Sequence, residues 1–246
     1  MKTIWLVGAS EGIGRALALE LANKGFGLIL SARNKDRLEE LKAEIGKSAI
    51  AIPLDVRDSA SVKSAWTEIE AKKKNINTII YCAGYYKPMS ALDFDLLEAE
   101  KMIDINLTGA LRILDHIIPH FISKNQGHIV LIGSIAGYRG LPNAMGYGPS
   151  KAGLIHLAEN LECDLSKHGI KIQVINPGFV KTRLTDLNDF SMPSIISAEQ
   201  AAIQIVGKMQ SNKFESRFPF LFAGFLKILS KLPYFLYFKI VRKFVV

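Results

Sequence analysis

The stretch GASEGIG, residues 8–14, decides the fold because of what stands on either side of it. Residues 3–7 before it form a short apolar run typical of a strand, and residues 12–24 after it place Ile13, Leu17 and Leu21 on one helical face. Glycines between a strand and a helix let a pyrophosphate approach the backbone, and the first amides of the helix bind the anion. Taken alone, such a motif could be an ordinary glycine-rich turn. Its structural context predicts a dinucleotide site.

Short apolar runs alternate with helical patterns through most of the chain. Strands are predicted at residues 26–30, 49–54, 78–82, 128–132 and 171–175. Helices are predicted at 34–45, 59–73, 147–167 and 198–209, and a long helical region at 93–123 is expected to hold two more. This alternation is typical of a parallel sheet covered on both faces. We therefore expect an α/β, doubly wound Rossmann-type domain of about seven strands, with cofactor-binding and catalytic residues in 1–212 and a last strand and amphipathic tail in 213–246.

Composition and charge exclude several classes of protein. With 49% hydrophobic and 22% charged residues among 246, the chain has the make-up of a globular protein with a large core. Its two cysteines, Cys82 and Cys163, lie far apart, so a reducing, cytoplasmic compartment is expected. The first apolar run is too short for an export signal. The net charge is +8, but residues 213–246 hold seven basic residues and one acidic residue, so no nucleic-acid-binding face is expected on the body.

The end of the second predicted strand bears on which cofactor binds. An acidic residue there would bind the ribose 2′-hydroxyl of NAD, whereas a basic residue accommodates the additional phosphate of NADP. The chain reads SARN at residues 31–34, with no acid before Asp36. Arg33 stands where that phosphate would lie, although a solvated residue at a helix start is the alternative. We expect NADP(H), with NAD(H) as the second choice.

Tyr147 and Lys151 are four residues apart on a predicted helix, so they lie on one face, one turn apart. The ammonium favours ionisation of the phenol, whose unperturbed pKa is about 10. Pairs with this spacing are common on solvated helix faces. The pair therefore indicates a site only if other residues build one around it.

Several such residues are present, and together they resemble the short-chain dehydrogenase/reductase family in its single-domain branch with a Tyr-x-x-x-Lys active site. The resemblance runs from Gly8 to about Arg183 and departs in two places: Glu11 stands where a serine is common, and Cys82 where an asparagine is usual. The second departure bears on strand packing rather than on catalysis. The matching segments are GASEGIG at 8–14, LDV at 54–56, CAG at 82–84, Asn106, Ser134 thirteen residues before Tyr147, and NPGFVKT at 176–182.

The resemblance implies an NAD(P)-dependent oxidoreductase that interconverts a carbonyl and a secondary alcohol by hydride transfer, usually as a homo-oligomer. Tyr147 would be the general acid or base and Ser134 would orient the substrate oxygen. Lys151 would hold the nicotinamide ribose and lower the phenol pKa, and Asn106 would hold a water that relays protons to it. The implied cofactor-binding residues are Gly8, Ser10, Glu11, Gly12, Ile13, Gly14, Arg33, Asp55, Val56, Ala83, Gly84, Asn106, Tyr147, Lys151, Pro177, Gly178, Val180 and Thr182.

Each of these residues has a structural alternative when taken alone. A serine such as Ser134 often caps a helix, and Asn106 could be a buried polar group satisfied by backbone. The five histidines show no metal-ligand spacing, and no metal is expected. The alternative function is a cofactor-binding regulatory or scaffold protein without turnover. Loss of Tyr147 or Lys151 would mark such a protein, and neither is lost.

Residues 220–246 form an apolar, aromatic tail that Pro233 divides into two short helical segments. Neither segment reaches the roughly 20 uninterrupted apolar residues of a spanning helix. Two basic, amphipathic helical segments suit the interface of a membrane, and we expect its inner face. The alternative is that the tail packs on the sheet or on a neighbouring subunit. The tail also suggests a lipophilic substrate, such as a long-chain acyl or sterol-like carbonyl, and residues 184–196 resemble the family's substrate lid. The basic residues of the tail are Lys227, Lys231, Lys239, Arg242 and Lys243.

Overall fold

A parallel β-sheet forms the centre of the protein, whose computed structural model describes residues 2–188 and 192–244. The strands in these ranges are β1 (Thr3–Val7), β2 (Gly27–Ser31), β3 (Ala49–Ala51), β4 (Ile76–Tyr81), β5 (Gly127–Ile132), β6 (Ile170–Pro177), β7 (Val180–Lys181), β8 (Ile196–Ser197) and β9 (Glu215–Phe218). Seven of them pair in the order β3-β2-β1-β4-β5-β6-β9, all parallel, and β7 pairs with β8. The predicted doubly wound fold is confirmed.

Helices cover both faces of the sheet because the strands are apolar on both sides. In β1, Trp5 and Val7 join one buried cluster with the helices on one face of the sheet, while Ile4 and Leu6 join another with the helices on the opposite face. The helices described are α1 (Gly12–Asn23), α2 (Lys35–Ile45), α3 (Ser59–Ala71), α4 (Leu96–Ile103), α5 (Gly109–Lys124), α6 (Tyr147–Leu165), α7 (Ala198–Met209), α8 (Phe220–Leu229) and α9 (Tyr234–Phe244).

The order of the strands positions the site. The chain moves outward from β1 to β3 on one side and then returns to place β4 on the other side of β1. At such a switch point the loops leaving neighbouring strands diverge and open a crevice at the carboxyl edge of the sheet. The predicted site segments follow the ends of β1 to β6, apart from Asn106 and the pair on α6, so the sheet brings them to one edge.

Most predicted boundaries agree with the structure to within two residues, and two elements differ more. The third strand ends at Ala51 rather than residue 54, although Ile52 and Leu54 still donate backbone hydrogen bonds to the chain around β2. The predicted helical region at 93–123 holds α4 and α5, as expected, but a π-helical turn at Asp104–Thr108 joins them without a break. That turn carries Asn106.

The tail folds onto the body of the protein. Glu215 in β9 pairs with Lys227 of α8 at 2.9 Å, and the same ammonium lies 4.4 Å from the centre of the Tyr138 ring. Pro233 separates α8 from α9, as predicted. Within the described ranges, neither these helices nor any other combines the length and apolar character needed to cross a bilayer. Residues 245–246 of the predicted tail and 189–191 of the predicted lid lie outside the described residues.

Candidate active site

A single continuous cavity of about 1100 Å³ extends along the carboxyl edge of the sheet, from the glycine-rich loop to α8. All the predicted catalytic and cofactor-binding residues line it except Asp55 and Asn106. The cavity is large enough for a dinucleotide and a small substrate together, since ordinary ligand pockets measure about 300–1,000 Å³.

The glycine-rich loop folds tightly against the start of α1. Gly8 adopts φ +93°, which favours glycine, and a Cβ on Gly14 would overlap the Gly8 carbonyl oxygen. The N-cap residue of α1, Glu11, makes no side-chain capping hydrogen bond. The first amides of the helix are therefore left for another acceptor, and an anionic phosphate suits them because of the positive end of the helix dipole. These features fit a dinucleotide pyrophosphate.

Glu11, one of the two departures from the family pattern, binds two arginines from distant parts of the chain. Its carboxylate accepts hydrogen bonds from Arg37 of α2 at 2.7 Å and from Arg183 at 2.8 Å. Both arginines line the cavity, as does the exposed Arg33. The rim of the cavity nearest the end of β2 is therefore basic. The sequence offered no signal for this bridge beyond the unusual glutamate, because its partners lie 26 and 172 residues away.

Cys82, the other departure, leaves the strand packing intact. Its backbone amide donates to the Val7 carbonyl at 2.8 Å, which extends the pairing of β1 with β4 by one residue. Burial raises the pKa of the thiol to about 11, so it stays neutral. A small, half-buried thiol thus fills this position at the cavity wall without adding a charge.

Asp55 and Asn106 lie beside the cavity rather than in its lining. The carboxylate of Asp55 accepts hydrogen bonds from the guanidinium of Arg57, the closest at 2.8 Å. Asn106 is fully buried: its side chain accepts from the Tyr85 amide at 2.7 Å and donates to Ser150 Oγ at 2.8 Å. It fixes the loop after β4 to α6. The adenine contact of Asp55 and the water-holding role of Asn106 stay predictions.

Three of the four expected catalytic side chains, those of Ser134, Tyr147 and Lys151, meet at one wall of the cavity. Ser134 follows β5, Tyr147 is the first residue of α6, and Lys151 lies one turn later. The Lys151 ammonium is 5.8 Å from the centre of the Tyr147 ring and donates to the Ile132 carbonyl at 2.9 Å. Ser134 also caps the short helical turn that follows it, accepting from the Ala136 amide at 3.1 Å. The capping interpretation of Ser134 is therefore confirmed, and its role toward the substrate stays a prediction.

The protonation of these groups depends mainly on their burial. Burial raises the pKa of the Tyr147 phenol to about 12, and a hydrogen bond with Ser134 only partly opposes this rise. Burial also lowers the pKa of the Lys151 ammonium to about 8. In the protein without cofactor the phenol pKa is therefore raised, with loss of hydration as the largest cause, and the lowering expected from Lys151 and an oxidised nicotinamide stays a prediction. At neutral pH the phenol is protonated and the ammonium charged.

The cavity beyond Tyr147 is walled by apolar and aromatic side chains. The Tyr86 ring lies 5.0 Å from the Tyr147 ring, and its hydroxyl donates to Asn188 at 2.7 Å. Phe222 of α8 stacks on Phe179 at 5.8 Å between ring centres. The sequence predicted an apolar tail but not that α8 closes one side of the cavity, since the residues that face inward depend on how the tail docks. The lining residues at this end include Leu141, Pro142, Phe179, Leu184, Phe222, Phe225 and Leu226.

Comparison with known proteins gives consistent matches over most of the chain. The family described as short chain dehydrogenase matches residues 2–190. A 3-oxoacyl-(acyl-carrier-protein) reductase of Buchnera aphidicola subsp. Schizaphis graminum is 32% identical over 197 residues, covering 80% of this chain and 81% of the relative. A sulfoacetaldehyde reductase of Chromohalobacter salexigens is 36% identical over 186 residues, covering 74% of each chain.

Among solved structures, the closed form of serine dehydrogenase complexed with NADP⁺ is similar in fold. It superposes with a TM-score of 0.80 at 24% sequence identity, covering 88% of this chain and 94% of the other. A sequence identity of 24% shows only that the fold is similar.

Proposed function

This chain belongs to the short-chain dehydrogenase family of NAD(P)-dependent oxidoreductases, and on that premise we propose that it interconverts a lipophilic carbonyl compound and its secondary alcohol with NADP(H). One observation carries the proposal: Tyr147, Ser134 and Lys151 share a wall of the cavity that begins at the glycine-rich loop. Acid–base groups and a dinucleotide cradle in one space suit hydride transfer. The alternative of a binding protein without turnover has no observation in its favour.

The glycine-rich loop at residues 8–14 holds the cofactor, and Ser134 and Tyr147 act on the substrate. NADP(H), when bound, supplies or accepts the hydride. Lys151 donates to the Ile132 carbonyl, and its remaining N–H groups would hold the nicotinamide ribose. The Ser134 hydroxyl donates to the substrate oxygen and stabilises the negative charge that develops on it. In reduction the Tyr147 phenol gives its proton to that oxygen, and in oxidation its phenolate takes the proton back.

The preference for NADP(H) rests on the basic rim. Arg33 and Arg37 line the cavity near the end of β2, where the 2′-phosphate of the adenosine would lie. No acidic residue of the segment 31–35 competes for the ribose hydroxyls.

Arg33→Ala is expected to raise the KM for NADPH by about 10–150-fold, because a hydrogen bond to a charged group contributes about 1.5–3 kcal/mol. The KM for NADH should change little, since NADH has no phosphate at that position. Steady-state kinetics with both cofactors measures the effect. Lys35→Ala is the matched control, because Lys35 is an exposed cation two residues away that does not line the cavity. Equal changes for NADH and NADPH would contradict the assignment.

The substrate class is inferred from the apolar end of the cavity. The two relatives act, by their names, on an oxoacyl thioester of a carrier protein and on the small, charged sulfoacetaldehyde. Beyond Tyr147 the cavity is lined by Phe179, Phe222 and Leu226. None of these three side chains carries a positive charge that could bind a sulfonate. The wall favours the acyl class. This choice is independent of the roles assigned to the catalytic residues.

For a series of 3-oxoacyl thioesters, kcat/KM with NADPH is expected to rise about fourfold for each added methylene, because burying a CH₂ contributes about 0.8 kcal/mol. The rise should stop when the chain exceeds the cavity. Sulfoacetaldehyde serves as the polar comparison. Higher kcat/KM for sulfoacetaldehyde than for every acyl substrate would exclude the lipophilic class while leaving the hydride-transfer proposal intact.

Assembly and location stay predictions. The chain is proposed to work in the cytoplasm as a homo-oligomer, and the exposed apolar side chains Phe94, Leu96 and Leu97 at the start of α4 support a contact between subunits. Light scattering of the purified chain gives the number of subunits.

A further inference from the structure

The helices α8 and α9 expose an apolar surface that extends beyond the cavity, and we propose that it docks on an anionic membrane. Large apolar side chains of both helices are between 46% and 84% exposed. Monomeric proteins rarely expose so many large apolar side chains in one short segment unless it meets a partner. We call this set the tail surface; its residues are Phe220, Leu221, Phe225, Ile228, Tyr234, Phe235 and Phe238.

The tail surface is held by a folded, anchored hairpin. Leu229, Tyr237 and Val241 form a small buried core between the two helices. Arg139, in the loop after β5, donates to the Ser230 carbonyl at 2.9 Å, and its guanidinium lies 4.3 Å from the ring centres of Tyr234 and Tyr237. The apolar side chains of the tail surface are therefore exposed although the inner faces of both helices are packed.

The charge around the tail surface selects its partner. Lys231, Lys239 and Arg242 are exposed, and no acidic residue follows Glu215 in the sequence. A depression of about 520 Å³ on α9 is lined by Phe235, Phe238, Lys239, Arg242 and Lys243. Aromatic side chains beside cations suit the boundary between acyl chains and anionic headgroups. Lys227 takes no part, because it is paired with Glu215.

A second copy of the chain is the less favourable partner. A symmetric contact places the same patch on both sides, so Lys239 and Arg242 would face the cations of the other copy with no carboxylate in the tail to pair with them. Like charges across a contact disfavour it. An anionic lipid surface supplies the missing negative charge. Helices of 10 and 11 residues can lie in such an interface without crossing it.

The tail surface also borders the cavity. Phe225 lines the cavity and is 56% exposed, and its neighbours Phe222 and Leu226 on α8 complete that part of the wall. Docking would therefore bring the apolar end of the cavity against the bilayer, from which a lipophilic substrate can enter. This second step rests on the proposed function, whereas docking itself does not.

Co-sedimentation with vesicles tests the proposal. The full chain is expected to sediment with vesicles of phosphatidylcholine and phosphatidylglycerol, not with phosphatidylcholine alone, and to dissociate as salt screens the charges. Lys239→Gln with Arg242→Gln should lower the partition coefficient about 30-fold, at about fivefold for each cation near an anionic leaflet. Phe235→Ser with Phe238→Ser should lower it without changing the charge. Ile203→Ser on α7, where the side chain is 58% exposed, is the matched apolar control and should bind as the unaltered chain does.

Three results would overturn the docking proposal. They are absence of sedimentation with anionic vesicles, binding that the charge variant leaves unchanged, and a smaller molecular mass of the Phe235→Ser, Phe238→Ser variant in light scattering, which would make the tail surface a subunit contact. Turnover of NADPH with a short, water-soluble ketone should be the same in all these variants. If the unaltered chain turns over NADPH but does not bind anionic vesicles, docking alone is refuted, and if it binds the vesicles without turnover, the enzymatic proposal alone is refuted.

Discussion

Tyr147→Phe is expected to lower kcat by about 10²–10⁴-fold, the usual contribution of a positioned general acid or base. The substitution removes one oxygen and keeps the ring, whose edge-on contact with Tyr86 has 5.0 Å between ring centres. The cofactor cradle lies at the other end of the cavity and should be unaffected. Steady-state rates give kcat, and the fluorescence of bound NADPH shows whether its affinity is retained.

The control for this substitution is Tyr86→Phe. Tyr86 lines the same cavity and donates its hydroxyl proton to Asn188 at 2.7 Å, so the variant also loses one phenol and one hydrogen bond. Since the assigned proton transfer does not use that hydroxyl, kcat should stay within a few-fold of the unaltered enzyme. Unchanged kcat in Tyr147→Phe, or an equal fall in both variants, would remove Tyr147 from its assigned role.

The pKa of Tyr147 in the protein without cofactor bears on the pH dependence of the proposed reaction. Burial raises that pKa to about 12, so the phenol carries its proton at neutral pH and is ready to act as an acid. Oxidation needs the phenolate, whose fraction grows with pH below the pKa. For the role proposed for Tyr147, we therefore expect reduction to proceed at neutral pH and the rate of oxidation to rise with pH.

The fold could be predicted because its signal is local and repeated. Strands such as residues 28–30 and 129–132 are apolar on both faces, and each is followed by a helix with one apolar side. The end of β3 was predicted too late, because residues 52–54 remain apolar and Ile52 and Leu54 keep backbone hydrogen bonds after the ladder ends. An apolar pattern indicates burial, and burial continues beyond the strand.

The site could be predicted only where its residues lie in motifs. Tyr147 and Lys151 were expected on one helical face, and they are. Their electrostatics could not be predicted, because the pKa of each depends on how much water the surrounding loops exclude. The bridge from Glu11 to Arg37 and Arg183 joins segments that only the completed sheet brings together. Likewise, the inward face of α8 is set by the docking of the tail.

Gly14→Ala is expected to destabilise the protein and weaken NADPH binding, in contrast to the same change at Gly207. Both glycines lie in helices, α1 and α7, where alanine intrinsically favours the helix by about 1 kcal/mol. At Gly207 nothing lies within 4 Å of the added Cβ, so this gain should remain. At Gly14 the Cβ would overlap the Gly8 carbonyl oxygen, which is backbone and cannot rotate away.

Overpacking of this kind costs about 1–3 kcal/mol or more, so the net loss at Gly14 should be about 2 kcal/mol and Tm should fall by about 4–8 °C. Gly207→Ala should raise Tm by about 2–4 °C. The opposite signs separate steric overlap from helix propensity. Moving the Gly8 carbonyl also displaces the amides at the start of α1, so the affinity of Gly14→Ala for NADPH should fall while that of Gly207→Ala is retained. Equal melting temperatures and affinities in the two variants would mean that the loop is not packed against α1 as described, and the phosphate cradle would lose its structural basis.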